Sequence, residues 1–334
     1  MSKRSRRDPK KATPDRSVPS SRAAAPRPPA ATPGKPAPSV ESPRTGAREK
    51  SPRVVIIAVA AAVLGSLLTA VVMSGSDVSG PGPSGAASAT KTGGACPKGM
   101  TRVPAGDYLM GVMDGGAADE GPQRRVSVGS FCLDVDEVTV EGFAACVKAG
   151  KCSDDHLSEW SADGENFAPN PGCNWNIEGK QRHPINCVDS RDAQAYCGFI
   201  GGGRLPTEAE WEWAARGGDE GRTYPWGHAP PRDQLCWRGD GDSEGKGKRT
   251  TTCEVGTHAA GDGRFGQHDL GGNLWEWTSS RYCPYSGEPC TDEGLVSRGA
   301  SLVNDTDFGL RVTRRSRELP THRLFYLGFR CAHD

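Results

Sequence analysis

Apolar residues form one uninterrupted run near the N-terminus of this 334-residue chain and occur only in short groups after it. The run, Val54–Met73, contains 20 residues without a charged side chain. An α-helix of about 20 apolar residues can cross the hydrocarbon core of a bilayer, so the pattern predicts a transmembrane helix at 54–73. A cleaved signal peptide is the alternative, but its charged region is normally short, whereas 53 residues precede this run. An uncleaved anchor is therefore favoured.

Three segments further along the chain show the signals that begin and end a helix. Thr139 and Ser190 are placed to cap the first two of them. Thr207 and Glu210 have the spacing of a capping box, which predicts the start of the third. The predicted helices are 140–149, 191–200 and a third that ends before Gly217.

The remainder of the chain has a different residue pattern. From Gly218 onward, Gly, Pro, Asp and Asn occur every few residues between short apolar groups, which is typical of loops and short strands. Residues 74–94 are rich in Gly, Ser, Ala and Pro and are interpreted as a flexible linker. The sequence therefore predicts one folded domain over 95–334, of the α+β class and low in regular secondary structure.

Charge is distributed unevenly along the chain. Residues 1–53 hold 14 Lys and Arg, 4 Asp and Glu and 11 Pro, without any Cys, Phe, Tyr or Trp, so this segment is predicted to be a disordered basic tail. The positive-inside rule places this tail in the cytoplasm and the 95–334 domain outside the cytoplasmic membrane, on a single-pass anchor. The other residues carry 27 Lys and Arg against 37 Asp and Glu, because the chain totals are 41 and 41. Nucleic-acid binding by the folded domain is therefore not expected.

All 12 cysteines lie between Cys96 and Cys331, in the part that the predicted topology exposes to an oxidising compartment. Disulfides are their expected use. Zinc binding is the alternative, but the cysteines lack CxxC spacing and the seven histidines lack HxxH or HxxxH spacing.

Eight short motifs follow one another in a recognisable order along the domain. They include Arg-Leu-Pro-Thr-Glu-Ala-Glu-Trp-Glu and Asp-Leu-Gly-Gly-Asn-Leu-Trp-Glu-Trp. The eight are Met100–Gly106, Val135–Thr139, Pro184–Val188, Arg204–Glu212, Tyr224–Gly227, Asp269–Trp277, Arg298–Ser301 and Leu327–Cys331. In this order they resemble the formylglycine-generating enzyme (sulfatase-modifying factor) family.

The resemblance implies a compact domain related to the C-type lectin-like fold. Enzymes of the family use molecular oxygen to oxidise a cysteine in the Cys-x-Pro-x-Arg motif of a sulfatase to formylglycine. They hold a copper ion with two cysteines that follow the Gly-Gly-Ser block, and thiolates are the soft ligands that Cu(I) prefers.

This chain departs from the family where copper should bind. Leu302–Arg311, the stretch after Gly299-Ala300-Ser301, contains no cysteine. Trp275 and Ser301 resemble residues that flank the oxygen pocket of the enzymes, although Trp275 also suits a core position and Ser301 a turn. Copper is therefore not expected, and no catalytic residue is predicted.

The resemblance also bears on the disulfides. One bridge of the family is missing, since its positions are Ala215 and, nearly, Val312 here. The other is present as Cys197 with Cys331. Local spacing then predicts the remaining pairs: Cys146 with Cys152, Cys173 with Cys187, Cys236 with Cys253, Cys283 with Cys290, and Cys96 with Cys132.

A calcium site is the ligand prediction that the resemblance supports. Asp269 and Glu276 supply carboxylates, and the carbonyls of Gly272 and Leu274 lie between them in sequence. Oxygen atoms of this kind are the ligands that Ca²⁺ takes. The alternative is that Asp269 is solvated and Glu276 stabilises a loop.

Three functions are compatible with the sequence. The first is a non-oxidase domain that binds a peptide, glycan or envelope protein outside the cell. The second is an oxidase that forms formylglycine by another route, and the third is a structural ectodomain that positions the basic tail. Loss of the copper cysteines favours the first. A polar set near the altered stretch could line its recognition surface, with a solvated surface as the alternative: Asp305, Asp307, Arg311 and Arg314.

Overall fold

The computed structural model describes residues 94–239, 249–304 and 306–334. The predicted tail, membrane helix and nearly all of the linker lie outside these ranges. Within them, no helix has the length and apolar character needed to cross a membrane. The helices are α1 (Val140–Lys148), α2 (Ser190–Phe199) and α3 (Glu208–Ala215), and the strands are β1 (Met100–Val103), β2 (Gly106–Met110), β3 (Arg124–Val128), β4 (Phe131–Asp134), β5 (Glu159–Trp160), β6 (Ala168–Pro169), β7 (Trp275–Arg281), β8 (Leu295–Arg298), β9 (Arg315–Glu318), β10 (Leu327–Gly328) and β11 (Ala332–His333).

The three predicted helices are confirmed, with one correction at a cap. The Thr139 side chain accepts a hydrogen bond from Gly142 N at the start of α1, and α3 begins with the predicted capping box. The predicted cap of α2 is wrong. Asp189, not Ser190, caps α2 by accepting from Arg191 N and Asp192 N, because its carboxylate satisfies two free amides at once.

The strands form small sheets that bring distant parts of the chain together. β4 pairs with β1 and β11, both antiparallel, so the start and the end of the domain share one sheet. A mixed sheet has the order β10-β7-β8-β9, with β10 parallel to β7. Two-stranded sheets, β2-β3 and β5-β6, complete the described set. Few helices and small mixed sheets agree with the predicted α+β class.

The main core lies between α1, α2 and the C-terminal strands. The ring of Phe143 on α1 stacks on Tyr196 of α2 at a centroid distance of 5.8 Å, and Phe329 meets both rings edge-on. Trp277 on β7 is fully buried in the same cluster and donates its indole N–H to Val188 O. Burial of aromatic side chains of this size contributes much of the stability of a domain with short elements.

All 12 cysteines take part in six disulfides, and these are the six pairs predicted from the sequence. Cys197–Cys331 joins α2 to the strand region at the C-terminus across 134 positions of sequence. The two positions of the missing family bridge, Ala215 and Val312, are both buried in one cluster with Trp211 and Leu270. An apolar contact therefore replaces that bridge.

Candidate functional site

The altered loop, which we define as residues 301–311, begins with a closed turn. Ser301 is fully buried, and its backbone N–H donates to Asn304 Oδ1 at 2.8 Å. The Ser301 hydroxyl faces the same oxygen at 3.3 Å, and Asn304 N donates back to Ser301 O. Ser301 thus holds a turn, as its alternative interpretation predicted.

Trp275 lies at the start of β7 beside this loop. Its side chain is half-buried and packs against an aromatic cluster that contains Tyr224 and Trp237, while its backbone N–H donates to Tyr326 O. Trp226 is also half-buried there and stacks on Tyr224 at 5.1 Å. The loop is therefore flanked by a partly accessible aromatic surface.

The altered loop does not fit a copper-thiolate centre. Its own side chains supply no thiol, and each cysteine elsewhere in the chain is already bonded to another. Asn304 and Gly309 lie side by side, because a Cβ added at Gly309 would come 2.6 Å from Asn304 Nδ2. An amide and a glycine at that contact offer no soft ligand for Cu(I).

The predicted polar set is only partly brought together. Arg314 donates to Glu120 at 3.2 Å, and Arg311 lies 3.6 Å from the same buried carboxylate. Both guanidinium groups also cover the ring of Phe308, at 4.1 Å for Arg311 and 5.7 Å for Arg314. Asp307 is exposed and does not join them. Asp305 lies outside the described residues.

A buried ionic network stands directly beneath the loop. Arg298 is fully buried at the end of β8, and its Nη2 donates to Glu208 and Glu212 of α3, each at 2.7 Å. Its Nη1 donates to Val312 O at 2.8 Å. Since a buried charge is stable only when it is paired and hydrogen-bonded, this network fixes the position of α3 against β8.

A second buried pair lies on the other side of Trp211. Glu276 on β7 accepts from Arg330 Nε at 2.7 Å and from Arg330 Nη2 at 2.8 Å, and it also accepts from the indole N–H of Trp211 at 2.8 Å. All three side chains are fully buried. We call the five charged residues of these two networks the ionic frame: Glu208, Glu212, Glu276, Arg298 and Arg330.

Two more carboxylates lie close to Glu276. Glu137 is buried, and its oxygens accept from Asn273 Nδ2 and Leu274 N. Burial raises the pKa of Glu137 well above its usual range, and the negative charges of Asp269 and Glu276 raise it further. Burial also raises the pKa of Asp269, whose carboxylate accepts from Gly256 N. Three carboxylates thus share the compensating charge of Arg330, which favours uptake of a cation or of protons.

The predicted calcium ligands fit such a cation in part. A Cβ added at Gly299 would lie 3.5 Å from the carbonyl oxygens of both Leu270 and Leu274, so both carbonyls lie close to Gly299. Glu276 is less available than predicted, because Arg330 and Trp211 occupy most of its acceptor capacity. In the described ranges, no three His, Cys, Asp or Glu side chains form a metal-binding group. A calcium ion here would therefore rely on Asp269 and main-chain oxygens.

Several residues that organise this region were not predicted from the sequence. Glu137, Arg298 and Arg330 stand inside the recognised motifs, but the motifs alone gave them no role. Glu120 lies outside every motif and meets Arg314 across 194 positions. Arg330 lies between Phe329 and Cys331, and a charged residue among apolar positions is the signal that could have identified it, since such a residue is buried only with a partner. Glu137 follows Asp136 and Arg298 precedes Gly299, so neither gives this signal.

Comparisons with known proteins show the family of this domain. Residues 86–334 match the family described as sulfatase-modifying factor enzyme 1-like domain. The inactive C-alpha-formylglycine-generating enzyme 2 of Mus musculus is 34% identical over 274 residues, covering 70% of this chain and 85% of that protein. The formylglycine-generating enzyme of Streptomyces coelicolor is 33% identical over 306 residues, covering 75% and 95%. Among solved structures, PvdO from Pseudomonas aeruginosa has 25% identity and a TM-score of 0.57, covering 72% and 95%.

Proposed function

The chain belongs to the sulfatase-modifying factor enzyme 1-like family, and from this premise we propose that its domain is a binding module and not a formylglycine-generating oxidase. One observation carries the proposal. The altered loop lacks both copper cysteines, and all 12 cysteines of the chain are used in disulfides. Two adjacent thiolates, which the family reaction needs to hold Cu(I), would require a disulfide to be broken.

The names of the relatives do not decide between binding and oxidation. A protein named inactive and a protein named as the enzyme are similar to this chain at 34% and 33% identity. Since one fold can carry several functions, the residues of the site must decide. The relation to C-type lectin-like folds stays a prediction, and it supports a binding role without identifying a ligand.

The recognition surface that we propose is the outer side of the altered loop. Phe308 is 42% exposed there beside the exposed Asp307, while Arg311 and Arg314 cover one side of its ring. An aromatic ring with charged groups around it can bind a peptide, a glycan or an envelope protein through stacking and hydrogen bonds. The half-buried Trp226 and Trp275 extend the same aromatic character.

A direct test uses the purified full-length chain and a Cys-x-Pro-x-Arg peptide. Aldehyde-specific labelling followed by mass spectrometry should detect no formylglycine, with or without added copper. The Streptomyces coelicolor relative, assayed in parallel, shows that the peptide and the labelling work. Copper-dependent turnover above that of a Ser301→Ala variant would restore the oxidase.

The binding role needs its own measurement. Full-length protein should capture an envelope component by cross-linking, and a Phe308→Ala/Asp307→Asn variant should capture it at least about fivefold less, because exposed side chains in the centre of a contact carry most of its energy. A Leu109→Ser variant, changed at another exposed apolar position, is the control. Equal capture by both variants would favour the structural ectodomain.

We further propose that residues 54–73 anchor the domain outside the cytoplasmic membrane, with the basic tail inside. The charge asymmetry across the apolar run supports this orientation. Protease added to intact spheroplasts should cleave after Lys98 but not after Lys10. A domain that survives this treatment, while detergent-lysed cells are digested, would contradict the orientation.

Calcium is the cofactor that we propose for the domain. Asp269 would supply the direct carboxylate and the carbonyls of Gly272 and Leu274 would add main-chain oxygens, while Glu276, whose oxygens are bonded to Arg330 and Trp211, would contribute its negative charge. When bound, the ion would neutralise the excess negative charge beside Arg330, and its contribution is to stability.

A further inference from the structure

One disulfide close to the altered loop has a cationic side chain against one of its sulfur atoms. Arg249 Nη1 donates a hydrogen bond to Cys253 Sγ at 2.6 Å, and Cys253 is bonded to Cys236. Arg249 Nε donates to Trp237 O at 3.0 Å, which holds the guanidinium group in this position. In the ranges that the structure describes, no other cysteine sulfur accepts a hydrogen bond from a cationic side chain.

The two cysteines of this bridge differ in their access to solvent. Cys236 is fully buried, whereas Cys253 is half-buried, so a reductant in solution reaches Cys253 more readily. Access alone does not distinguish the bridge. In Cys146–Cys152, a fully buried cysteine is likewise bonded to a half-buried one. The contact with Arg249 is what sets Cys236–Cys253 apart from it.

The guanidinium group of Arg249 favours the reduced state of the bridge. A disulfide sulfur is a weak hydrogen-bond acceptor, whereas a thiolate is a charged one, so this contact becomes stronger when the S–S bond is opened. Burial lowers the pKa of Arg249, because its charged form is partly removed from water. A thiolate at Cys253 would compensate that charge. A cation beside a cysteine stabilises its thiolate, and a disulfide whose reduced form is stabilised is easier to reduce.

We propose that Cys236–Cys253 is a thiol–disulfide exchange site that a dithiol reductant opens. One thiolate of the reductant attacks Cys253 Sγ, the S–S bond of the bridge breaks, and Cys236 leaves as a thiolate that takes up a proton. The second thiol of the reductant loses its proton and attacks the reductant's own sulfur in the mixed disulfide. This step releases Cys253 as a thiolate, which Arg249 stabilises. Two electrons pass from the dithiol, which becomes a disulfide, to the bridge of the protein.

The exchange site is connected to the altered loop through Asn273. The backbone N–H of Asn273 donates to Cys236 O at 2.7 Å, and its side-chain oxygen accepts from Cys253 N at 3.0 Å. The carbonyl of Asn273 accepts from Leu302 N at 2.8 Å. Opening the bridge therefore removes a covalent constraint from residues that support the loop. The exchange itself does not depend on whether the loop binds a partner.

The test uses the full-length chain and graded concentrations of dithiothreitol, a small dithiol. Thiols that become free are alkylated with iodoacetamide, and mass spectrometry of the peptides gives the reduced fraction of each bridge. We expect Cys236 and Cys253 to be alkylated at dithiothreitol concentrations that leave Cys146–Cys152 bonded. Arg249→Met should make reduction of Cys236–Cys253 about tenfold less favourable, or about 30 mV for a two-electron couple, because a charge-assisted hydrogen bond to the thiolate is lost. Arg249→Lys keeps the charge and should restore most of this difference.

A matched control separates the contact with sulfur from a general effect of positive charge. Arg182→Met removes an arginine that pairs at 3.2 Å with Glu254, the residue after Cys253, and it should leave the reduction of the bridge unchanged. The proposal is wrong if Cys236–Cys253 is not reduced before Cys146–Cys152, if Arg249→Met has no effect, or if Arg182→Met has the same effect. It is also wrong if Arg249→Lys is no better than Arg249→Met. Formylglycine production by the reduced protein would refute the proposed function and leave this result unchanged.

Discussion

The ionic frame and the altered loop lie next to each other and are built in opposite ways. In the frame, every charged side chain is buried and meets a partner of opposite charge, as Arg298 meets Glu208 and Glu212 at 2.7 Å. In the loop, Asn304 and Arg311 are half-buried and Asp307 is exposed, while the buried Ser301 only closes a turn with Asn304. The frame specifies one arrangement of α3, β7 and β8, whereas the loop is held by a few contacts and presents side chains to solvent.

This difference explains how the chain can resemble an enzyme family and lack its chemistry. Glu208 and Glu212 stand in the Pro-Thr-Glu-Ala-Glu-Trp-Glu motif, Glu276 in Asn-Leu-Trp-Glu-Trp, and Arg330 in Gly-Phe-Arg-Cys. The motifs by which the chain resembles the family therefore contain the residues of the buried ionic frame. A buried scaffold of this kind can be retained while the metal-binding residues of the loop above it are replaced.

The largest loss of stability should come from removing the Cys197–Cys331 disulfide, which lies next to Arg330 of the ionic frame. Cys331 follows Arg330 directly, and its bridge to Cys197 spans 134 positions. Replacing both cysteines with serine should lower the free energy of unfolding by about 5 kcal/mol in the chain-entropy picture. The matched change at Cys146 and Cys152, which span 6 positions, should cost about 2 kcal/mol. Urea denaturation measures both, and equal losses would show that Cys197–Cys331 does not brace the frame.

Removing one charge from the ionic frame should lower the free energy of unfolding nearly as much. Arg298→Met keeps much of the side-chain volume but leaves Glu208 and Glu212 buried without their shared partner. We expect a loss of about 3 to 5 kcal/mol, since an uncompensated buried charge is left behind. Arg317→Met is the control, because Arg317 pairs with Asp292 at the surface and should contribute less than about 1 kcal/mol. A small loss in the Arg298 variant would mean that the frame is not structurally important.

Calcium should stabilise the ionic frame and leave the altered loop unaffected. At a calcium concentration of about 100 times the dissociation constant, linkage predicts about 2.7 kcal/mol of added stability. For a domain of this size, this corresponds to an increase of roughly 5 to 10 °C in melting temperature. Asp269→Asn should abolish most of the increase, whereas Asp114→Asn, at an exposed position, should not. A response that is unchanged in the Asp269 variant would refute the site.

Sequence reasoning succeeded for features specified by neighbouring residues and for those carried by the motif order. The capping box at Thr207 and four short-range disulfides depend on spacing, and the sequence contains that spacing directly. Even locally it failed where two caps compete, since Asp189 and Ser190 are adjacent and only the fold decides which one caps α2.

The roles of long-range charges could not be predicted in the same way. Glu120 meets Arg314 only because the chain from 111 to 123 folds over the start of β9, and no local pattern specifies that contact. Glu276 was assigned to calcium from the family resemblance, and its partner Arg330, 54 positions away, could not be recognised from the local sequence. Pairing between distant charges follows from the tertiary fold and becomes visible only with it.

The pH dependence of stability tests Asp134, a buried carboxylate near Arg330 of the ionic frame. Burial raises the pKa of Asp134 to about 7, against the hydrogen bond from Cys331 N and the charge of Arg330, which both lower it. Because the folded pKa lies above the unfolded value, the stability from this group is fully present below about pH 4 and is lost as the pH rises through 7. Between pH 5 and pH 8 we expect a loss of about 2.5 kcal/mol. Asp134→Asn should remove this part of the pH dependence, and thermal melts of both proteins across that range would show a parallel decline if Asp134 is not responsible.

The smallest effect should come from the altered loop, and it is the one that separates stability from recognition. Phe308 is 42% exposed and contacts Arg311 and Arg314 through its ring. Cation–π contacts at an exposed site contribute about 0.5 to 1 kcal/mol, so Phe308→Ala should change the free energy of unfolding by less than about 1 kcal/mol. A loss of 3 kcal/mol or more, comparable to that of the Arg298 variant, would place the loop within the stabilising frame and contradict a surface kept for binding. If stability is retained while capture of an envelope component falls, the side chain is maintained for recognition, since its contribution to folding is then too small to account for its exposure.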